Sequence, residues 1–268
     1  MKLDLHVHTK HSFDCDSDIS HIIENAATAG LSAIAICDHD TMSACSLAEQ
    51  NKHDVRIIPG MEITTRGGTH IIGLFLKEEV VSRDILEVID EIHSQNGLVV
   101  VPHPFRPGSG LFFNREKRNL FSGEEMVQIM AGVDLIETIN YRSTPEILNE
   151  TDRIAASHPN KPQTAGSDAH FADEIGRAYV DLENLKSNDL ADIKKALLKS
   201  PRLIRFEAFS YEDGWQTRSL TIKSRKNVGP PKIKRFVPRL IRNSFKAIFS
   251  SSGDRLSKRK SKEKVPIE

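Results

Sequence analysis

Asp4-Leu5-His6-Val7-His8-Thr9, closing a run from Leu3 to Val7 that alternates apolar and polar residues, decides how this 268-residue chain is read. Alternate residues of a strand point to one side, so His6 and His8 project together and their imidazoles can meet one ion. A His-x-His pair alone says little in a chain with 11 histidines. Its company says more. Asp14 follows in Ser12-Phe13-Asp14, Cys37-Asp38-His39-Asp40 ends the apolar run from Leu31, and Gly60-Met61-Glu62 ends a third segment. Farther on stand His70, Pro102-His103-Pro104 and Gly166-Ser167-Asp168-Ala169-His170. Each group lies at or near the C-terminal end of an expected strand, the face on which α/β barrels build active sites.

Further strands are expected at Val55 to Ile58, His70 to Leu76, Leu98 to Val101, Leu135 to Ile139, Gln163 to Gly166 and Ala178 to Leu182. Helices are expected between them. Val81 to Gln95 carries Ile85, Val88, Ile89 and Ile92 on one face, with Ser82 to cap its start and Gly97 to close it. Ser122 and Glu125 form a capping box for Glu124 to Met130, Pro145 opens Glu146 to Ser157, and Asn188 to Lys199 ends the series. Strand and helix alternate, the mark of βα units around a parallel sheet.

Taken together, the blocks Asp4-Leu5-His6-Val7-His8-Thr9, Asp38-His39-Asp40, Gly60-Met61-Glu62, Pro102-His103-Pro104 and Gly166-Ser167-Asp168-Ala169-His170 resemble the PHP (polymerase and histidinol phosphatase) family over residues 1–206. The resemblance implies an α/β fold, a distorted TIM-like (β/α)7 barrel, holding two or three divalent metal ions. It implies His6, His8, Glu62 and Asp168 as ligands of a first ion, and Glu62 as the bridge to a second that takes His103 and His70. Asp14, His39 and His170 would hold a third, with Asp14 where some members have histidine. For His70 and Asp14, a role in orienting a ligand is the alternative. Imidazole and carboxylate without thiolate suit Mn, Zn or Fe.

Such ions would let a hydroxide held between them attack phosphorus without a serine or cysteine nucleophile. The expected function is a metal-dependent phosphoesterase acting on a phosphomonoester or nucleotide-like substrate. Asp38 or Asp40 could supply a proton to the leaving group, and Arg106, Arg142 and Arg177 could fork onto phosphate oxygens. The bland alternative for each arginine is a solvent ion pair. Asn140 could touch substrate or cap a turn. His11, His21, His53, His93 and His158 match no block, and Cys37 reads as a small buried residue. The alternatives are an exonuclease or other phosphodiesterase, and a non-catalytic metal-binding regulator.

Apolar residues at 38% and charged residues at 28% exclude a collagen-like or wholly disordered chain. No stretch approaches 18 apolar residues, and three cysteines without close spacing point to the cytoplasm. The formal net charge of zero hides two pieces: residues 1–217 carry 21 basic and 34 acidic side chains, residues 218–268 carry 16 and 3. Residues 207–268 read as a linker with a Gly229-Pro230-Pro231 breaker, an amphipathic helix and a disordered end. That helix would align Phe236, Val237, Leu240, Ile241, Phe245, Ile248 and Phe249 among basic residues. Such a segment could pack on the acidic barrel, lie on an anionic membrane surface or contact nucleic acid.

Overall fold

The apolar runs become strands and the 3.6-residue patterns become helices in the computed structural model, which describes residues 1–48, 54–113, 120–200 and 202–206. In chain order these are β1 (Lys2–Val7), α1 (Ile19–Thr28), β2 (Ala33–Ile36), α2 (Ser43–Ala48), β3 (Arg56–Thr64), β4 (His70–Leu74), α3 (Ile85–Ser94) and β5 (Leu98–Val101). There follow α4 (Gly123–Gly132), β6 (Leu135–Asn140), α5 (Pro145–Ser157), β7 (Gln163–Gly166), a 3₁₀ turn (Ala172–Glu174), β8 (Ala178–Asp181), α6 (Leu190–Lys199) and β9 (Leu203–Phe206).

The sheet runs β7-β6-β5-β4-β3-β2-β1-β8-β9. It closes on itself where the end of β7 meets the end of β1. There the Asp168 amide donates to the His6 carbonyl at 2.7 Å and the His8 amide to the Ala169 carbonyl at 3.0 Å. The expected α/β barrel is thus present, but its sheet is not uniformly parallel. β1, β2 and β3 run parallel, as do β5, β6 and β7, while β4 is antiparallel to both neighbours. The cause is length: β3 and β4 are joined by a tight turn at Arg66-Gly67-Gly68, with Gly68 at φ +83°, and a parallel return needs a crossover of a dozen residues or so. β8 and β9 extend the sheet antiparallel beside β1. β9 was not anticipated.

One buried cluster takes a residue from every barrel strand, namely Leu3, Ala33, Ile58, Ile72, Leu98, Leu135 and Ala165. Two others sit beneath the helices, with Ile22, Ile23 and Ala26 of α1 against Ile34 and Ile36, and Val88, Ile89 and Ile92 of α3 against Ile63, Val99 and Val101. A register irregularity between Asp4 and Val7 changes which face of β1 looks inward. Leu3 and Leu5 join the central cluster, whereas Val7 packs beneath α1.

The capping box on Ser122 and the first-turn Pro145 are as expected. α3 instead starts at Ile85, because Asp84 caps it by accepting from the Leu86 amide, and α6 starts at Leu190 behind Asp189. Ser82 turns its amide to Glu91 Oε2. Among the described residues no helix is long and apolar enough to cross a membrane. The expected helix within residues 236–249 and the rest of 207–268 lie outside the described residues.

Candidate metal centre

β1 brings His6 and His8 to the closing seam with their Nε2 atoms 3.1 Å apart. β3 brings Glu62 beneath them, its Oε2 3.4 Å from His6 Nε2 and 3.3 Å from His8 Nε2. From the end of β7, Asp168 places Oδ1 at 3.5 Å from His6 Nε2 and 3.2 Å from His8 Nε2. Four donors around one ion at about 2.0 to 2.1 Å in tetrahedral array stand about 3.3 Å from one another. The five separations here, 3.1 to 3.5 Å, straddle that value.

The other oxygen of Glu62 faces a second pair of imidazoles, His70 Nδ1 at 2.8 Å and His103 Nε2 at 2.9 Å. On the outer side Asp14 Oδ2 lies 2.8 Å from His170 Nε2 and 3.3 Å from His39 Nε2, while His39 Nδ1 is 3.3 Å from Glu62 Oε2. The nine residues expected to be ligands therefore form one continuous cluster. Within it the groups able to hold an ion are His6 with His8 and Asp168, His6 with Glu62 and His103, His39 with Glu62 and His70, and His8 with Asp14, His39 and His170. Asp14 Oδ1, His39 Nδ1, His103 Nδ1 and Asp168 Oδ1 are buried without a hydrogen-bond partner. Buried polar atoms left so are costly unless something else satisfies them, and divalent ions would do so for His39 Nδ1 and Asp168 Oδ1, which face the other donors. The donor set fits such ions.

Close packing and local strain shape the cluster. A Cβ on Gly166 would fall 2.3 Å from the His6 Cβ and 2.7 Å from Glu137 Oε1, so a glycine is required where β7 crosses β1. Asp168 and His103 adopt φ values of +54° and +26°, uncommon for side-chain-bearing residues and typical of functional sites held by their surroundings.

Burial favours the neutral form of each group, but the partners overrule it for several. For His6, burial is opposed by Asp168, Glu137 and Glu62, which hold its pKa well above the ordinary value. For His8, burial is outweighed by Asp168 and Glu62, and the pKa rises to about 9. Glu62 and Asp168 lie well below the usual carboxylate range in spite of burial, Glu62 through His70, His39 and His6, and Asp168 through Arg106 and His6. His103 falls the other way, to about 4, under burial and the charge of Arg106.

Not every expected residue joins the cluster. Asp38 accepts from the Thr9 amide and Thr9 Oγ1, both at 2.6 Å, and so ties two strand ends together. Asp40 accepts from the Thr64 amide at 3.0 Å and faces Arg83 at 3.4 Å. Arg106 does join: its Nη2 donates to Asp168 Oδ2 and, at 3.2 Å, to Asn140 Oδ1. Arg142 is in a buried pair with Glu174 Oε2 at 3.1 Å, and that oxygen also accepts from the His170 amide. It thereby supports the turn carrying His170. Arg177 donates from Nε to the Asp173 carbonyl. Asn140 both touches the cluster, through Nδ2 to Asp168 at 3.3 Å, and caps a turn by accepting from the Arg142 amide.

Glu137 was missed. It is 3% exposed, its Oε1 lies 3.0 Å from His6 Nδ1, and its Oε2 accepts from the His103 amide at 2.7 Å and from Asn140 at 3.0 Å. A carboxylate can only accept, so His6 carries a proton on Nδ1, and Nε2 is the nitrogen turned toward His8 and Glu62. The sequence signal was an acid inside the apolar strand Leu135-Ile136-Glu137-Thr138-Ile139. Ser12 serves similarly, its Oγ 3.1 Å from His8 Nδ1 and accepting from the His39 amide at 2.8 Å.

Comparison with known proteins finds the same pattern. The PHP domain family profile matches residues 4–133 and the PHP-associated profile residues 146–200. An uncharacterized protein of Methanocaldococcus jannaschii is 31% identical over 227 residues, covering 81% of this chain and 88% of the relative. A 5'-3' exoribonuclease of Haemophilus influenzae is 37% identical over 78 residues, 27% of this chain and 28% of that one. Among solved structures, a two-domain protein of Bacteroides vulgatus containing a "predicted PHP-like metal-dependent phosphoesterase" superposes with a TM-score of 0.63 at 19% identity, covering 88% of this chain and 72% of that one. With the barrel, its reversed β4 and the histidine and carboxylate cluster at the seam, these matches establish that the chain belongs to the PHP family.

Proposed function

We propose that this chain hydrolyses a phosphoester, with a phosphomonoester or nucleotide-like molecule as substrate, using ions held by the seam cluster. In this reading His6, His8, Glu62 and Asp168 hold one ion, Glu62, His70 and His103 a second, and Asp14, His39 and His170 a third. Mn, Zn or Fe bound there would polarise the phosphoryl oxygens and lower the pKa of an attacking water. The observation that carries the reading is the set of five separations of 3.1 to 3.5 Å by which Nε2 of the buried His6 and His8 meet each other, Glu62 Oε2 and Asp168 Oδ1.

The chain's own side chains do the rest. Glu137 and Ser12 fix the imidazoles of His6 and His8, so the donors are aimed before an ion arrives. Arg106 is a quarter exposed and anchored on Asp168 and Asn140, which places a two-pronged cation where phosphate oxygens would enter. Asp38 and Asp40 are occupied by Thr9, and by Thr64 and Arg83, so they hold the loop after β2 rather than deliver a proton.

A second reading, a phosphodiesterase acting on an RNA end, is favoured by the stretch shared with the exoribonuclease. The 16 basic side chains of residues 218–268 would draw in such a polyanion. The test is metal analysis of the purified chain followed by release assays with added manganese, set with nucleotides, sugar phosphates and short RNA. Asp168→Asn should lose bound metal and more than the about 100-fold of activity that supporting residues around metal sites typically cost. Full turnover in that variant overturns the reading.

A further inference from the structure

Phe13 lies beside the cluster, in the loop after β1, with 67% of its surface exposed, whereas Val7 and Ala169 at the seam are buried. Its ring stacks on the imidazole of His39, centroids 4.9 Å apart and planes 26° from parallel. Both sequence neighbours are tied down. Ser12 is bound to His8 and His39, and Asp14 to His39 and His170. With residues 12 and 14 fixed inward, the side chain of residue 13 is directed outward.

The contacts form a line from Phe13 to His39, then Glu62 Oε2, His8, Asp168 and Arg106. Arg106 thus meets the cluster through Asp168, and the Phe13 ring meets it through His39. A phosphoryl group lying over the carboxylates would have the guanidinium on one side. Its alcohol portion would reach toward Phe13. A preset aromatic face suits a flat π-system, stacks any base without reading its edges, and costs little ordering because the ring is already held.

We propose that Phe13 is a specificity-determining residue that stacks the nucleobase of a nucleotide substrate. The inference rests on the phosphoesterase reading and narrows it to phosphoesters whose alcohol portion carries a nucleobase. The probes are adenosine 5'-monophosphate and ribose 5-phosphate, which share the phosphate and sugar and differ by the base. With the full-length, manganese-loaded chain, the ratio of kcat/KM for the nucleotide to that for the sugar phosphate should fall about tenfold in Phe13→Ala, mostly through KM. Phe13→Trp should restore it. An equal loss on both probes would mean that Phe13 acts through His39 alone, and an unchanged ratio would mean that the base is not stacked there; either overturns the proposal. If neither probe is hydrolysed, the phosphoesterase reading fails for both. The stacking question is then settled by equilibrium binding, where a wild-type preference for the nucleotide that Phe13→Ala removes supports it and no preference overturns it.

Discussion

Two sets of carboxylates face imidazoles in this molecule, and they are built differently. Glu62 and Asp168 are 1% and 0% exposed and are met by histidines from separate strands. Asp14 comes from the loop after β1, is 29% exposed and faces His39 and His170. The inner set also has buried supports, Glu137 behind His6 and the backbone of His103, Ser12 behind His8, and Gly166 where β7 crosses β1. The inner geometry is thus imposed by the barrel's closure, whereas the outer one depends on where a single loop lies.

If that difference matters, disturbing a support of the inner set should weaken ion binding more than removing an outer donor. Glu137→Gln keeps the size of the side chain but leaves one oxygen to serve both His6 Nδ1–H and the His103 amide. Ion affinity, read by competition with a chelator, should fall about 10- to 100-fold. Unchanged affinity would mean that packing alone orients His6.

The two sets should also differ in their response to pH. In the ion-free chain His6 lies well above its ordinary pKa and His8 at about 9, held there against burial by Asp168 and Glu62, whereas burial and His8 lower His170. An ion entering between His6 and His8 must displace their protons. Its affinity should rise with pH by up to about tenfold per unit for each proton displaced, and the share owed to His8 should level off above about pH 9. Calorimetric titration in buffers of different ionisation enthalpy would read the proton release, and uptake without release would contradict protonated inner imidazoles.

Most donors were legible in the sequence because they sit at strand ends, where a side chain's direction follows from the alternation of the strand. The same rule explains one misreading. If His39 points into the cluster, Asp38 and Asp40 must point away, and they are indeed found on Thr9, and on Thr64 and Arg83. Treating Asp38-His39-Asp40 as one functional block hid its period of two. The Arg66-Gly67-Gly68 turn likewise announced a hairpin, yet the strand after it was read as one more parallel unit. Other features depend on partners remote in the chain. Arg142 finds Glu174, and Glu137 is recognised as a support only once β1 is seen beside β6 and β7. The acid within the apolar run Leu135 to Ile139 marks Glu137 as unusual but does not name its partner.

The smallest expected effect belongs to Asp14. Asp14→Asn keeps the side chain's size and one oxygen for His170 Nε2, but removes the charge that two imidazoles face. In the ion-free chain burial would raise the Asp14 pKa, yet hydrogen bonds from His170 and His39 hold it far below the carboxylate range, so the charge lost is a full one at neutral pH. Because the outer set has only this carboxylate of its own and borrows its other donors from His8, His39 and His170, the variant should release the outer ion while Glu62 and Asp168 keep theirs. Metal analysis should show a lower ion count, and phosphate release should fall by less than about tenfold. Loss of every ion would show instead that His39, which touches both Asp14 and Glu62, couples the two sets into one cooperative centre.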